Sequence, residues 1–219
     1  MGKIPAFGSK LRKNIVTVPE IIDQCSGIRV FGQLLKSFLF STDVAIIRNT
    51  NANAIIAVYP FTPQPVISQA LLLAADKPIF CGVGGGVTTG DRSLDLAIHA
   101  EHQGALGVVL NKPTPNSLIM RIKEKIDIPL VITIVSEKDD IEGRIAAGVD
   151  IFNVSGADKT QEIIKKIRTL SDSVAILATG GRTDETIMAA ISAGANAISV
   201  TPPSTGELFK DIMNRYREE

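Results

Sequence analysis

Several residue types are scarce in this chain of 219 residues, and each scarcity excludes a class of protein. There is no tryptophan, aromatic residues make up 5% of the sequence, and the only cysteines are Cys25 and Cys81. Two cysteines are too few for a disulfide framework and are typical of a reducing compartment, so we expect a cytoplasmic protein. Acidic and basic residues are equal in number at 23 each, so there is no net charge to attract nucleic acid.

Long apolar runs are also missing. Lys, Asp or Pro interrupts the apolar stretches before they reach the length that spans a bilayer, so we expect no membrane partner. The first twenty residues carry Lys3, Lys10, Arg12 and Lys13 but no apolar segment typical of a secretory signal. No group of His, Cys, Asp and Glu has the spacing of metal ligands, and we expect no metal site.

The dominant pattern is a repeat of a short apolar run, a loop and an amphipathic helix. The runs predict eight strands, at Ser37–Ser41, Ala54–Tyr59, Pro78–Val83, Gly107–Asn111, Pro129–Val135, Asp150–Val154, Val174–Thr179 and Ala197–Thr201. Strands that alternate with helices are parallel and joined by crossovers, and eight of them close a barrel. The predicted fold is an α/β (β/α)₈ TIM barrel over residues 36–219.

Residues 1–35 do not follow this repeat. The pattern Thr17-x-x-Glu20 predicts a helix that runs to about Cys25 and stops at Gly27. We interpret it as an N-terminal helical extension that closes the bottom of the barrel or packs on a neighbouring subunit. The second arrangement would make the protein a homo-oligomer. The basic residues before this helix are interpreted as a solvated arm.

Two predicted strands resemble each other in sequence. Residues 53–60 read Asn-Ala-Ile-Ile-Ala-Val-Tyr-Pro and residues 196–202 read Asn-Ala-Ile-Ser-Val-Thr-Pro. Such similarity is expected of a fold built from repeated βα units. The alignment makes Val44–Thr50 the helix that precedes the second barrel strand.

The loops after the last two strands contain the strongest candidate binding motif. Barrels often bind phosphate there, through the glycines of one loop and the free N–H groups at the start of the next helix. The residues that carry this prediction are Gly180, Gly181, Arg182, Ser204, Thr205 and Gly206. Between Val174 and Gly206 the sequence resembles the phosphate-binding barrels: the ribulose-phosphate-binding group, the sugar-phosphate epimerases and the inosine-monophosphate-dehydrogenase-like barrels. The resemblance implies a phosphorylated small-molecule ligand.

One feature departs from those families. They usually carry glycine, often with Ser or Thr, at the end of the eighth strand, where this chain has Pro202 and Pro203. Proline has no N–H to donate, so the donors must come from the three residues that follow. The alternative interpretation is that Gly180 and Gly181 only make a tight turn.

The loop from Gly82 to Arg92 is long for a connection between a strand and a helix, and it carries five glycines. A dinucleotide motif is disfavoured because Val87 occupies the position of its third glycine. We interpret Gly84, Gly85 and Gly86 as part of a mobile lid or an anion-binding loop. The alternative is a passive connection.

Charged candidates for catalysis are few. Lys112 follows the fourth barrel strand, and Glu137 follows the fifth. We predict that Lys112 stabilises negative charge and Glu137 acts as a base. The alternatives are a solvated loop lysine for Lys112 and, for Glu137, an acid that the helix dipole favours in the first turn of a helix. The remaining residues near the strand ends are polar and uncharged: Asn111, Thr133, Asn153, Thr179, Ser199 and Thr201. Class I aldolase barrels commonly carry a lysine where this chain has Asn153, which disfavours that activity.

Three functions remain open from the sequence. The first is an enzyme of the isomerase, epimerase or lyase type that acts on a small phosphorylated metabolite, with no cofactor. The second is a non-catalytic sensing barrel that resembles the glycerol-3-phosphate-responsive regulators. The third is an FMN-binding barrel, because the phosphate of FMN can use the same loops.

Overall fold

The computed structural model describes residues 5, 7–9, 14–181 and 183–218. It contains ten strands within these residues: β1 (Ile28–Val30), β2 (Gln33–Leu35), β3 (Ser37–Phe40), β4 (Ala54–Ala57), β5 (Ile79–Gly84), β6 (Gly107–Leu110), β7 (Leu130–Ile134), β8 (Ile151–Val154), β9 (Ala175–Thr179) and β10 (Ala197–Val200). Strands β3 to β10 are parallel and form a closed barrel in sequence order, in which β10 pairs with β3. The prediction of a TIM barrel is confirmed.

Helices follow the barrel strands on the outside. They are α1 (Val44–Arg48), α2 (Pro65–Ala74), α3 (Asp91–His102), α4 (Asn116–Lys123), α5 (Ile141–Ala146), α6 (Thr160–Leu170), α7 (Asp184–Ala193) and α8 (Thr205–Glu218). The predicted helix before the second barrel strand is therefore confirmed as α1. Among the described residues, no helix is both long enough and apolar enough to cross a bilayer.

Apolar side chains form two separate layers. The outer layer fills the space between the strands and the helices. The inner layer fills the barrel itself, where the rings of Phe38 and Phe80 meet edge to face with their centroids 5.3 Å apart. Gly107 allows this packing, because a Cβ atom there would overlap the ring of Phe80. The barrel interior is thus a packed core.

The N-terminal segment differs from the predicted helical extension. Residues Glu20–Gln24 form a short 3₁₀ helix that packs against α7 and buries Ile22 in the outer layer. The barrel bottom is closed instead by the antiparallel hairpin β1–β2, which places Ile28, Val30 and Leu35 in the inner layer. Its turn uses Phe31 and Gly32, both with positive φ, as two-residue hairpin turns require. We call this N-terminal end of the strands the closed end.

The two similar sequence segments, residues 53–60 and 196–202, each begin with an asparagine that lies at the start of a barrel strand. The side-chain oxygen of Asn53 accepts hydrogen bonds from the N–H groups of Lys36 and Ser37, at 2.9 and 3.1 Å. That of Asn196 accepts from the N–H of Ile176 at 2.9 Å and from Arg168 at 2.6 Å. Each asparagine therefore ties the start of its own strand to the start of the preceding one.

Candidate functional site

The opposite end of the barrel, where the strands finish, is lined by uncharged polar side chains. Alternate residues of a strand point to the same side. Because Val131, Ile151, Leu177 and Ala197 belong to the inner layer, the residues two positions later also face the interior. These are Thr133, Asn153, Thr179 and Ser199. Together with Asn111 and Thr201, which continue the same faces of β6 and β10, they form the polar ring of the open end.

Asn153 is the member of the polar ring with a buried side-chain atom that lacks a hydrogen-bond partner among the described residues. Its Nδ2 atom donates to Thr133 Oγ1 on the neighbouring strand, at 3.3 Å. Its Oδ1 atom is buried and has no hydrogen-bond partner. The described protein groups therefore leave part of the hydrogen-bonding capacity of this amide unused.

A cavity of about 270 Å³ adjoins the polar ring, between the loops after β4 and β5. Asn111 lines it, together with Val58, Phe61, Gly82 and Val87. Phe61 is 72% exposed and Val87 is fully exposed, so two apolar side chains stand in solvent at its edge. The cavity lining is mixed, because Tyr59, Thr62 and Thr88 stand beside the apolar side chains.

The predicted glycine-rich lid is packed against the barrel at its base. Gly84 and Gly85 have φ values of 140° and 97°. A Cβ atom on Gly84 would overlap the side chain of Ser93, and one on Gly85 would overlap the backbone of Asn111. The register between β5 and β6 also shifts between Gly82 and Gly84, a bulge of the kind found beside active sites. Gly86, Val87 and Thr89 are the exposed part of the loop.

Lys112 does not stand free in solvent. Its ammonium group lies 2.7 Å from Asp139 Oδ1, and the Asp139 side chain is only 7% exposed. The other carboxylate oxygen accepts from the backbone N–H groups of Val135 and Ser136. Burial opposes the ionisation of Asp139, but these hydrogen bonds outweigh it and lower the pKa of the carboxyl group below its usual value. Lys112 is thus an anchored cation beside the ring residue Asn111.

Glu137, the predicted base, lies two residues before Asp139 and is exposed. Its backbone oxygen accepts a hydrogen bond from Lys166, which holds the loop. The structure therefore places Glu137 at the outer edge of the open end, and it is Asp139 that contacts Lys112.

Gly180 and Gly181 line a second cavity, of about 510 Å³, between the loops after β8 and β9. The N–H of Gly180 is already bound to the Ser199 oxygen at 2.8 Å, so the expectation that it is free for a ligand is wrong. Gly181 packs closely on Thr186, where a Cβ atom would overlap the hydroxyl group. Arg182, which was predicted to assist them, lies outside the described residues.

The start of α8 is also occupied by groups of the protein itself. Ser204 and Glu207 form the capping box that the sequence predicts, in which the Ser204 N–H donates to Glu207 Oε2 at 2.8 Å. Thr205 donates its hydroxyl to Asp43, which lowers the pKa of that carboxyl group. Ser204, Thr205 and Gly206 are not among the residues described around the second cavity. We expected the free N–H groups of both loops to converge on one point. The structure corrects this expectation, because the carboxylates of Asp43 and Glu207 already lie at the start of α8.

Two residues important at the open end were missed from the sequence. Val58 could have been found, because it lies two positions after Ile56 of the inner layer. Asp43 could not, because 162 residues separate it from Thr205 and no local pattern links them.

Comparison with known proteins relates the chain to others through its fold. No family model matches the chain, and no curated protein matches its sequence. A solved mandelate oxidase is 15% identical, with a TM-score of 0.65 over 81% of this chain and 68% of that one. A candidate phosphonomutase from Burkholderia cenocepacia J2315 is 14% identical, with a TM-score of 0.66 over 90% of this chain and 98% of that one.

A third similar structure is the dihydrodipicolinate synthase DapA-2 of Bacillus anthracis. It is 13% identical, with a TM-score of 0.58 over 84% of this chain and 76% of that one. All three are similar in fold, and at these identities the likeness extends to the fold alone. The chain is a TIM barrel whose open end carries a ring of uncharged polar side chains.

Proposed function

We propose that the protein is an enzyme that binds a small organic metabolite at the open end of its barrel. TIM-barrel enzymes hold their active sites at this end, in residues contributed by several strand ends. The observation that carries the proposal is the ring of polar side chains at the strand ends, in which Asn153 uses one hydrogen bond, to Thr133. Hydrogen-bonding groups that the fold leaves unused, at the end where barrels bind substrates, are well explained by a ligand that contacts the ring.

The cation of Lys112 supports chemistry of the isomerase or lyase type. Such reactions develop negative charge on the substrate, and an ammonium group held by Asp139 can stabilise that charge. Glu137 remains the exposed acid that could act as a base in the same loop. If Lys112 acts in this way, Lys112→Met abolishes turnover and leaves ligand affinity within about tenfold.

A phosphate group on the metabolite is less well supported. The donors without a described partner at the predicted site are the N–H groups of Gly181, Thr205 and Gly206. Asp43 and Glu207 place two carboxylates beside the last two of these residues, and they would repel a dianion. We therefore propose a metabolite that does not depend on phosphate binding at this helix start.

An FMN cofactor meets the same obstacle. One of the similar structures is a mandelate oxidase mutant with an FMN adduct. The group that would hold the phosphate of FMN in this chain is the start of α8, where Glu207 already accepts from Ser204. The residues present do not fit that phosphate.

The second candidate function is a sensing barrel without catalysis. It is favoured by the polar ring, which contains no group that transfers protons near neutral pH among the described residues. The two candidates predict the same binding site and differ only in whether the bound molecule is converted.

The proposal can be tested with a library of small metabolites. Stabilising compounds are found by thermal unfolding, followed by circular dichroism because the chain has no tryptophan. Each is then incubated with the protein, and conversion is monitored by proton NMR.

Asn153→Leu should abolish the stabilisation by these compounds. Gln33→Leu, which removes an exposed amide at the closed end, should not. Binding without conversion would favour the sensing barrel, and hits unaffected by Asn153→Leu would contradict an open-end site.

A further inference from the structure

The last helix, α8, has an apolar face that the barrel does not cover. Its large apolar residues recur at the spacing of one helix face: Leu208, Phe209, Ile212, Met213 and Tyr216. Within the described part of the chain, every other α-helix buries at least one side chain, whereas α8 buries none. An amphipathic helix is expected to bury its apolar face, so this face is available to a partner.

A groove lies along this face of α8. It has a volume of about 480 Å³ and is bounded by α8 on one side and by α1 and residues 14–16 on the other. Most of the side chains that line it are apolar, among them Ile15, Ile46, Leu208 and Ile212. Phe209 also lines it and is 64% exposed. A continuous apolar surface of this kind is typical of an interaction site.

Two charged side chains line the groove, and they have opposite signs. Asp211 and Arg215 lie one helical turn apart on α8, and both are exposed. Neither forms an ion pair with another described residue. A face with one acid and one base a turn apart is self-complementary. If a second copy of the helix crosses it in the opposite direction, the acid of each copy lies beside the base of the other.

We propose that α8 is the interface of a homodimer, an inference that does not depend on the proposed function. The α8 helices of the two copies pack antiparallel about a two-fold axis close to Ile212. Asp211 of each copy pairs with Arg215 of the other, and Phe209 of each copy packs into the groove of the other. Two-fold symmetry forms each of these contacts twice.

The charges favour a second copy of the chain over a different partner. A groove with charge of a single sign would select a partner of the opposite sign, and would repel its own copy. Here the groove carries one charge of each sign, so it complements itself. The whole chain has 23 acidic and 23 basic residues, and two copies therefore approach without net repulsion.

Charge reversal tests the pairing. The mass of the full-length chain is measured by sedimentation equilibrium from micromolar to millimolar concentration, and we expect twice the mass of one chain at the upper end. Asp211→Arg and Arg215→Asp each place like charges together at two positions, and each should raise the dissociation constant of the dimer about a hundredfold. The two substitutions combined should restore it to within about tenfold of the unaltered protein.

Matched controls separate the interface from general effects of substitution. Asp95→Arg makes the same change at an exposed position of α3 and should leave the dissociation constant unchanged. Phe209→Ser should raise it about tenfold or more, because it removes the apolar side chain that packs into the groove. Leu73 is 80% exposed on α2, so Leu73→Ser should have no effect. Circular dichroism checks that every variant keeps the fold.

The outcomes are distinct. Recovery of the dimer in the combined variant, after its loss in both single variants, would support the interface. A chain that sediments as a monomer at every concentration would overturn it, and the groove would then serve a different partner. A dimer that is indifferent to Asp211→Arg and Phe209→Ser would also overturn it, because the copies would meet at another face. A combined variant as weak as the single ones would overturn the antiparallel arrangement.

Discussion

Asparagines at the two ends of the barrel have opposite hydrogen-bonding states. At the closed end, the oxygen of Asn196 accepts from Ile176 and Arg168, and its Nδ2 donates to Ser26 at 3.0 Å. At the open end, Asn153 makes one hydrogen bond and leaves its oxygen unpaired. Asparagine thus stabilises the fold through its hydrogen bonds at the closed end, and at the open end part of its hydrogen-bonding capacity is unused. This difference is expected of a barrel whose lower end provides stability and whose upper end binds substrate.

The largest effect is expected in the hairpin that closes the barrel. Leu35 is 2% exposed and packs in the inner layer, so Leu35→Ala should lower the free energy of unfolding by about 2–5 kcal/mol. Its neighbour Leu34 is 43% exposed, and Leu34→Ala provides the matched control, with an expected loss below about 1 kcal/mol. Urea unfolding followed by circular dichroism measures both. Equal losses would show that the hairpin does not belong to the core.

A smaller but still large loss is expected from Asn196→Leu. The variant removes the bonds to Ile176, Arg168 and Ser26 together, and leaves a partly buried guanidinium group with fewer partners. We expect the free energy of unfolding to fall by about 2–4 kcal/mol. The same denaturation experiment measures it. If the urea midpoint of Asn196→Leu equals that of the unaltered protein, Asn196 does not stabilise the closed end and the comparison with Asn153 fails.

The ion pair at the edge of the open end should contribute about 1 kcal/mol, because Lys112 is 48% exposed and partly screened. Folding lowers the pKa of Asp139. The charged carboxylate therefore contributes its full stabilisation at pH values above the usual pKa of 3.8. The stabilisation is lost as the pH falls through the lower folded value.

Lys112→Met should therefore be less stable than the unaltered protein at neutral pH, and the difference should narrow in acid. Thermal unfolding at several pH values tests this. A difference that stays constant down to acid pH would mean that the variant acts through packing of the lysine chain instead of its charge.

The smallest effect on stability is expected from Asn153→Leu. Leucine has a similar size and removes the unpaired oxygen, so the free energy of unfolding should stay within about 0.5 kcal/mol or rise. The loss should appear in ligand binding only. If this variant is destabilised as strongly as Asn196→Leu, the amide has a structural role and the comparison of the two ends fails.

The strand positions could be predicted from the sequence because a buried parallel strand needs an apolar, β-branched run whatever surrounds it. All eight barrel strands were identified on that basis, and so was the ring that includes Thr133 and Asn153, since strand ends follow directly from strand positions. The capping box at Ser204 is similarly local, because its two partners lie three residues apart.

The hairpin that closes the barrel was not predicted. Its strands have three residues each, too few to show a periodic pattern, and its turn uses Phe31 at positive φ, where a glycine or asparagine is the usual signal. What identifies it is its packing among the inner side chains, which is a tertiary contact.

The sequence by itself determined the barrel and the residue types available at its open end, because both depend on short-range periodicity. Only the tertiary structure decided which of those residues have spare hydrogen bonds. Gly180 is bound by Ser199, Thr205 donates to Asp43, and Lys112 is held by Asp139, each through a partner distant in sequence. The physical reason is that hydrogen bonds depend on distance in space, and the barrel closure sets those distances.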